Sequence, residues 1–128
     1  MAQILLIEPD RRLAETYAQA LQTDGHRVRS AAGAQAAISA ADAATPDLII
    51  LELQLVEHSG IEFLYELRSY TDWQHIPVIV HTQVPPGEFD GSRGLLEDEL
   101  GVRSYLYKPR TSLRRLLAET RQLTAVTT

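Results

Sequence analysis

Five short apolar runs punctuate the chain, separated by stretches with helical spacing. Gln3–Ile7 (QILLI) is nearly continuous and stops at Glu8-Pro9-Asp10, a pattern that suits a strand covered on both faces. Asp10 is placed to cap a helix running to about Gln22, with Leu13, Tyr17 and Leu21 at i, i+4 and i+8. Asp24-Gly25 ends it, the glycine supplying the left-handed residue past the helix end. His26–Ala31 alternates, with Val28 between two arginines, and predicts an edge strand. Gly33–Ala44 is alanine-rich and predicts a small, closely packed helix. Beyond the turn Thr45-Pro46-Asp47, Leu48–Leu53 (LIILEL) is the most apolar run and predicts a central strand.

Gly60–Tyr70 returns to helical spacing, with Ile61, Leu64 and Leu67 on one stripe and Phe63 beside it. Pro77–His81 predicts a fourth strand, followed by a long stretch, Thr82–Gly94, that carries Pro85-Pro86. Leu95–Leu100 predicts one or two helical turns ended by Gly101, and Ser104–Tyr107 a fifth strand. Thr111–Leu123 predicts the last helix, with Leu113, Leu116, Leu117 and Leu123 inward, and 124–128 is a polar tail. Strand followed by helix, repeated along the chain, predicts an α/β fold: a five-stranded parallel sheet with helices on both faces, because parallel strands need right-handed crossovers. Residues 1–123 form one domain on this reading, with no internal repeat and no linker.

Composition narrows the function classes. A chain of 128 residues has the size of one domain. It has no cysteine, which excludes disulfides, thiolate metal sites and cysteine nucleophiles. A net charge of −5 disfavours broad contact with nucleic acid or an anionic membrane surface. No apolar run has the length of a membrane span, and no signal-peptide pattern precedes the first strand, so a cytoplasmic protein is expected. His26, His58, His75 and His81 are scattered without metal-ligand spacing, and His81 reads as a packed residue. No nucleophile elbow, Walker loop or GxGxxG loop is present. The expectation is a chain without enzymatic activity or bound nucleotide.

In such a sheet, chemistry collects at the carboxyl ends of the strands. Those ends carry Glu8-Pro9-Asp10, Glu52, Thr82 and Lys108. Carboxylates, a hydroxyl and an ammonium at one rim are suited to a divalent cation and a phosphoryl group: hard oxygens hold Mg²⁺, and ammonium and hydroxyl bind phosphoryl oxygens.

The segments ILLIEPD (Ile4–Asp10), PDLIILELQL (Pro46–Leu55), SGIEFLYELR (Ser59–Arg68), IPVIVHT (Ile76–Thr82) and GVRSYLYKP (Gly101–Pro109) span nearly the whole chain. Together they make it resemble the receiver domain of bacterial response regulators, the (βα)5 flavodoxin-like module of two-component signalling. The resemblance implies an aspartate acceptor after the third strand, phosphorylated by a histidine kinase, and acids after the first strand that hold Mg²⁺. It implies a Thr or Ser and a Lys on the phosphoryl group, positions taken by Thr82 and Lys108, and an aromatic switch residue on the fifth strand, Tyr105. Lys108-Pro109 resembles the family's usual cis peptide.

The departures point away from phosphotransfer. The acceptor position holds Glu52, and one of the two metal acids is Pro9, beside Glu8. Asp10 is next in the chain but is the expected helix cap. Val56 stands where the family has a proline, and Gln83 where a small residue is common. Glu52 is longer than Asp by one methylene, and displacement of a reacting group by about 1 Å can cost about a hundredfold. With fewer metal anchors as well, weak or absent Mg²⁺ binding is expected. A carboxylate that reaches Lys108 and Thr82 has two readings, both open from sequence: a partial mimic of the phosphorylated state, or a plain structural ion pair.

The expected function is therefore an atypical receiver, or pseudo-receiver, acting independently of phosphorylation as a protein-interaction module. The expected partner is a signalling protein or output domain. The expected face, implied by the resemblance, comprises Leu95–Leu100, Ser104–Tyr107 and the last helix; it carries Tyr105, Arg110, Arg114 and Arg115 and is also the expected surface for a homodimer. Two alternatives stand beside this: a receiver that retains phosphotransfer, and a small-molecule sensor whose 83–94 loop closes a pocket.

Overall fold

The computed structural model describes residues 2–88 and 94–125. Five parallel strands, β1 (Gln3–Ile7), β2 (Arg27–Ala31), β3 (Leu48–Leu51), β4 (Val78–Thr82) and β5 (Val102–Tyr107), form one sheet in the order β2-β1-β3-β4-β5. The α-helices are α1 (Arg11–Thr23), α2 (Ala34–Ala43), α3 (Gly60–Ser69) and α4 (Leu113–Thr124). The run LIILEL is the central strand as its composition predicts, although β3 stops at Leu51.

Alternation along the strands divides the interior in two. Leu5, Ile7, Ile49, Leu51, Val78 and Val80 pack with Ala37 and Ala41 of α2 and Phe63, Leu64 and Leu67 of α3. Ile4, Leu6, Leu48, Ile50, Ile79 and Leu106 pack on the other face with Leu21 of α1 and Leu116 of α4. Each such leucine or phenylalanine contributes about 1.5–3 kcal/mol by leaving water. The alanines of α2 hold no bulk between helix and sheet, so the helix lies close.

Local chemistry fixes the element ends. Asp10 accepts a hydrogen bond from the Leu13 N–H (3.0 Å), Ser59 from Glu62 (3.1 Å) and Ser112 from Arg115 (3.1 Å), so three helices start on side-chain caps. Gly25 (φ 98°) and Gly101 (φ 68°) occupy the left-handed region after α1 and before β5. Arg68 gives its guanidinium to three backbone carbonyls, Leu100 (3.0 Å), Trp73 (2.7 Å) and Ile76 (2.7 Å). It thereby ties the end of α3 to the approaches of both β4 and β5.

Several expectations are corrected. Leu113 is not inward: it is the first residue of α4 and is 40% exposed, while Leu116 and Thr120 are buried and Leu117 and Leu123 pack against the core as expected. The Lys108–Pro109 peptide is trans. Lys108–Arg110 forms a 3₁₀ turn closed by the Thr111 N–H on the Lys108 carbonyl (3.2 Å), a course the ordinarily favoured trans isomer satisfies. The helical turn expected before Gly101 is present, as a single π-helical turn at Leu95–Glu99 with Leu96 buried. The part of the long loop at 89–93 and the tail at 126–128 lie outside the described residues. No described helix is long and apolar enough to cross a membrane.

Candidate functional site

Register brings the strand-end residues together. Ile7 pairs with Leu51, so Glu8 and Glu52 follow one residue later on neighbouring strands. Their backbones continue the ladder, the Glu8 N–H on the Ala31 carbonyl and the Glu52 N–H on the Ile7 carbonyl, each at 3.0 Å. Thr82 closes β4 opposite Tyr107, which puts Lys108 just past the sheet edge.

Lys108 lies between the two acids. Its Nζ is 2.5 Å from Glu8 Oε1 and 2.7 Å from Glu52 Oε1, and the side chains are 6%, 4% and 4% exposed. The remaining Glu8 oxygen accepts from the Asp10 N–H at 3.0 Å. Glu52 Oε1 also accepts from the Gln83 N–H (3.2 Å), and Oε2 from the Gln54 N–H (3.1 Å) and the Thr82 hydroxyl. An ammonium, a hydroxyl and two backbone amides thus converge on one carboxylate. Burial pushes the Glu52 carboxyl up, but hydrogen bonds from Lys108, Thr82 and the Gln54 amide outweigh it and hold it below the ordinary carboxylate value. Burial likewise disfavours the Lys108 ammonium, yet its bonds to Glu52 and Glu8 leave it above its ordinary value.

From Thr82 the contacts continue outward. Its hydroxyl accepts from the Val84 N–H (3.1 Å), and Tyr105 donates its hydroxyl to the Val84 carbonyl (2.8 Å). Burial, then the charges of Glu88 and Glu52, push the Tyr105 phenol up to about 12, so it stays a donor. On the α1 side His81 is packed, as expected, edge-on against Tyr17 with ring centroids 4.9 Å apart.

The residues present do not suit Mg²⁺. Both oxygens of Glu8 are engaged, one by an ammonium. The Pro9 side chain carries no donor oxygen, and Asp10 is exposed with its carboxylate turned onto the start of α1. The basic residues singled out on the outer face, Arg110, Arg114 and Arg115, are all exposed. Arg115 also pairs with Glu119 (3.0 Å), which accepts from Ser104 (2.8 Å).

Glu52, Thr82, Lys108 and Glu8 converge as the strand-end reasoning anticipates; the side chains of Pro9 and Asp10 do not join them, Asp10 contributing only its N–H to Glu8. The Glu8–Lys108 contact and the amides of Gln54 and Gln83 were not anticipated. A backbone amide carries no signal in side-chain identity; only position, two residues after Glu52 and one after Thr82, points to it.

A five-stranded α/β sheet with acids, a hydroxyl and a lysine at its carboxyl rim defines a receiver-type module. The family model for the response regulator receiver domain matches residues 4–121, and the chain belongs to that family. It is 34% identical over 109 residues to the KDP operon transcriptional regulatory protein KdpE of Escherichia coli, covering 85% of this chain and 45% of KdpE. It is 32% identical over 121 residues to the sensory transduction protein RegX3 of Mycobacterium tuberculosis, covering 94% of this chain and 50% of RegX3. The chain thus spans about half the length of these relatives. Among solved structures, a two-component response regulator from Clostridium difficile superposes with a TM-score of 0.83 at 25% identity, covering 98% of each chain. Chemotaxis response regulator CheY4 of Vibrio cholerae gives 0.83 at 22%, covering 96% of this chain and 98% of that one.

Proposed function

We propose that this receiver domain works without phosphorylation, as a protein-interaction module whose site is permanently filled by the carboxylate of Glu52. The observation that carries the reading is the set of donors on that carboxylate: Lys108, Thr82 and the amides of Gln54 and Gln83. Thr82 and Lys108 are the groups a receiver turns to a phosphoryl oxygen, and here they are spent on the protein's own acid. Glu52 brings one negative charge, against about −1.5 to −2 for a phosphate monoester, so it imitates the contacts more fully than the charge. The misfit of Glu8, Pro9 and Asp10 to Mg²⁺ supports the same reading, because phosphoryl transfer leans on charge neutralisation by metal.

The chemistry left to the domain is recognition. The surface around Tyr105, Arg110 and Arg114 offers cations and an aromatic edge to an acidic protein partner. Incubation with a small-molecule phosphodonor and Mg²⁺, followed by intact mass measurement, tests the proposal. The expected spectrum shows the unmodified mass alone; a phosphate adduct on Glu52 would sink it.

A further inference from the structure

We infer that Lys108 is the built-in counter-ion of this site: its ammonium takes the place between Glu8 and Glu52 that a divalent cation needs, and removing it opens a metal site there. The inference deepens the phosphorylation-independent reading and rests on it.

Three observations carry it. The ammonium bridges both carboxylates, at 2.5 Å from Glu8 and 2.7 Å from Glu52, and all three side chains are at most 6% exposed. The other acceptor capacity nearby is already engaged, Glu8 Oε2 by the Asp10 amide and Glu52 Oε2 by Gln54 and Thr82. The charge is near balance: two carboxylates and one ammonium leave a single negative charge in a dry site. A divalent ion entering beside the ammonium meets a like charge where solvent screens little.

Without Lys108, the balance reverses. Glu8 and Glu52 are held one step beyond paired residues of adjacent strands. Two buried carboxylates at that spacing repel each other, and a small hard cation that keeps several waters is the ligand that relieves them. The lysine therefore acts as a positioning residue that joins the ends of β1, β3 and β5 without metal.

Mn²⁺ is the probe, followed by paramagnetic broadening of backbone amide signals and by thermal unfolding with and without Mg²⁺. The unaltered chain is expected to show no selective broadening at Glu8, Glu52 and Gln83 and no Mg²⁺ effect on its midpoint. Lys108→Met is expected to bind Mn²⁺ at least about tenfold more tightly, to melt lower in metal-free buffer and to regain stability with Mg²⁺. Glu8→Gln in the Lys108→Met background should abolish that response, and Lys108→Arg, which keeps a cation, should lack it. Selective broadening in the unaltered chain, or a Lys108→Met chain indifferent to both ions, overturns the inference. If Lys108→Met does not fold in metal-free buffer, Mg²⁺ must restore its native spectrum, and failure to do so counts equally against it. A phosphate adduct on the unaltered chain bears on the proposed function, whereas these metal titrations bear on the counter-ion alone.

Discussion

His81 is a histidine inside the protein, 4% exposed, with its ring against Tyr17 and the charges of Lys108 and Glu52 nearby. Burial first, and then Lys108, bring its pKa from 6.5 down to about 4, with Glu52 opposing. Between those values the unfolded chain binds a proton that the folded chain refuses, so stability is lost as pH falls from 6.5 towards about 4. The full difference is worth at most about 3 kcal/mol. Glu52 acts lower: its carboxyl sits below its ordinary 4.5, so its contribution is present above that value and disappears as pH falls through the depressed one. His26, less buried and also lowered by burial, titrates in the same direction as His81. Comparison of the parent with His81→Phe therefore isolates one histidine. Urea midpoints at neutral pH and near pH 5 should converge in His81→Phe relative to the parent; an unchanged gap would show that the slope comes from elsewhere.

The segment from Glu52 to Gly60 shows how one element presents the site. It leaves β3 after Leu51, closes through the Gly60 N–H on the Leu53 carbonyl (2.7 Å) and runs straight into α3. A Cβ on Gly60 would lie 2.7 Å from the Leu53 Cα and 3.1 Å from the Glu52 carbonyl, both backbone atoms that cannot rotate away. Gly60→Ala should therefore destabilise the domain by about 1–3 kcal/mol and disturb the Gln54 amide that serves Glu52. Urea unfolding measures the first effect and the Gln54 amide shift the second; a variant of parental stability would mean the loop yields freely. Elements such as this one mark what sequence can carry. Periodicity shows β3 and α3, and Asp10 announces the start of α1, because those signals are local. The exposure of Leu113, the π-turn at Leu95–Glu99 and the three carbonyls on Arg68 depend on what packs from elsewhere in the chain. The site was legible to the extent that strand ends converge by topology. The Lys108–Glu8 bridge was not, since two residues one hundred positions apart share no local pattern.

At the scale of the molecule, one path leads from the sheet rim to the outer face. Glu52 holds Thr82, the Thr82 hydroxyl holds the Val84 amide, and the Val84 carbonyl holds Tyr105. Glu52 is 4% exposed and Thr82 is fully buried, whereas Tyr105 reaches the surface beside Leu96 and Arg103. The path thus joins a buried charge to a surface a partner can touch. Its energetic meaning depends on whether its middle link matters. Thr82→Val keeps the volume and removes the hydroxyl, leaving the Val84 amide without its acceptor at a cost of about 1–3 kcal/mol. If the path positions Tyr105, the Tyr105 ring signals should shift and the Val84 amide should exchange faster with solvent deuterium, while Arg121–Asp24 at the far end of α4 stays as it is. If stability falls and Tyr105 does not respond, the hydroxyl supports only the local loop, and the face is set by β5 and its own neighbours. The first outcome makes Glu52 the fixed setting of a surface that a phosphoryl group adjusts in other receivers; the second confines Glu52 to the rim.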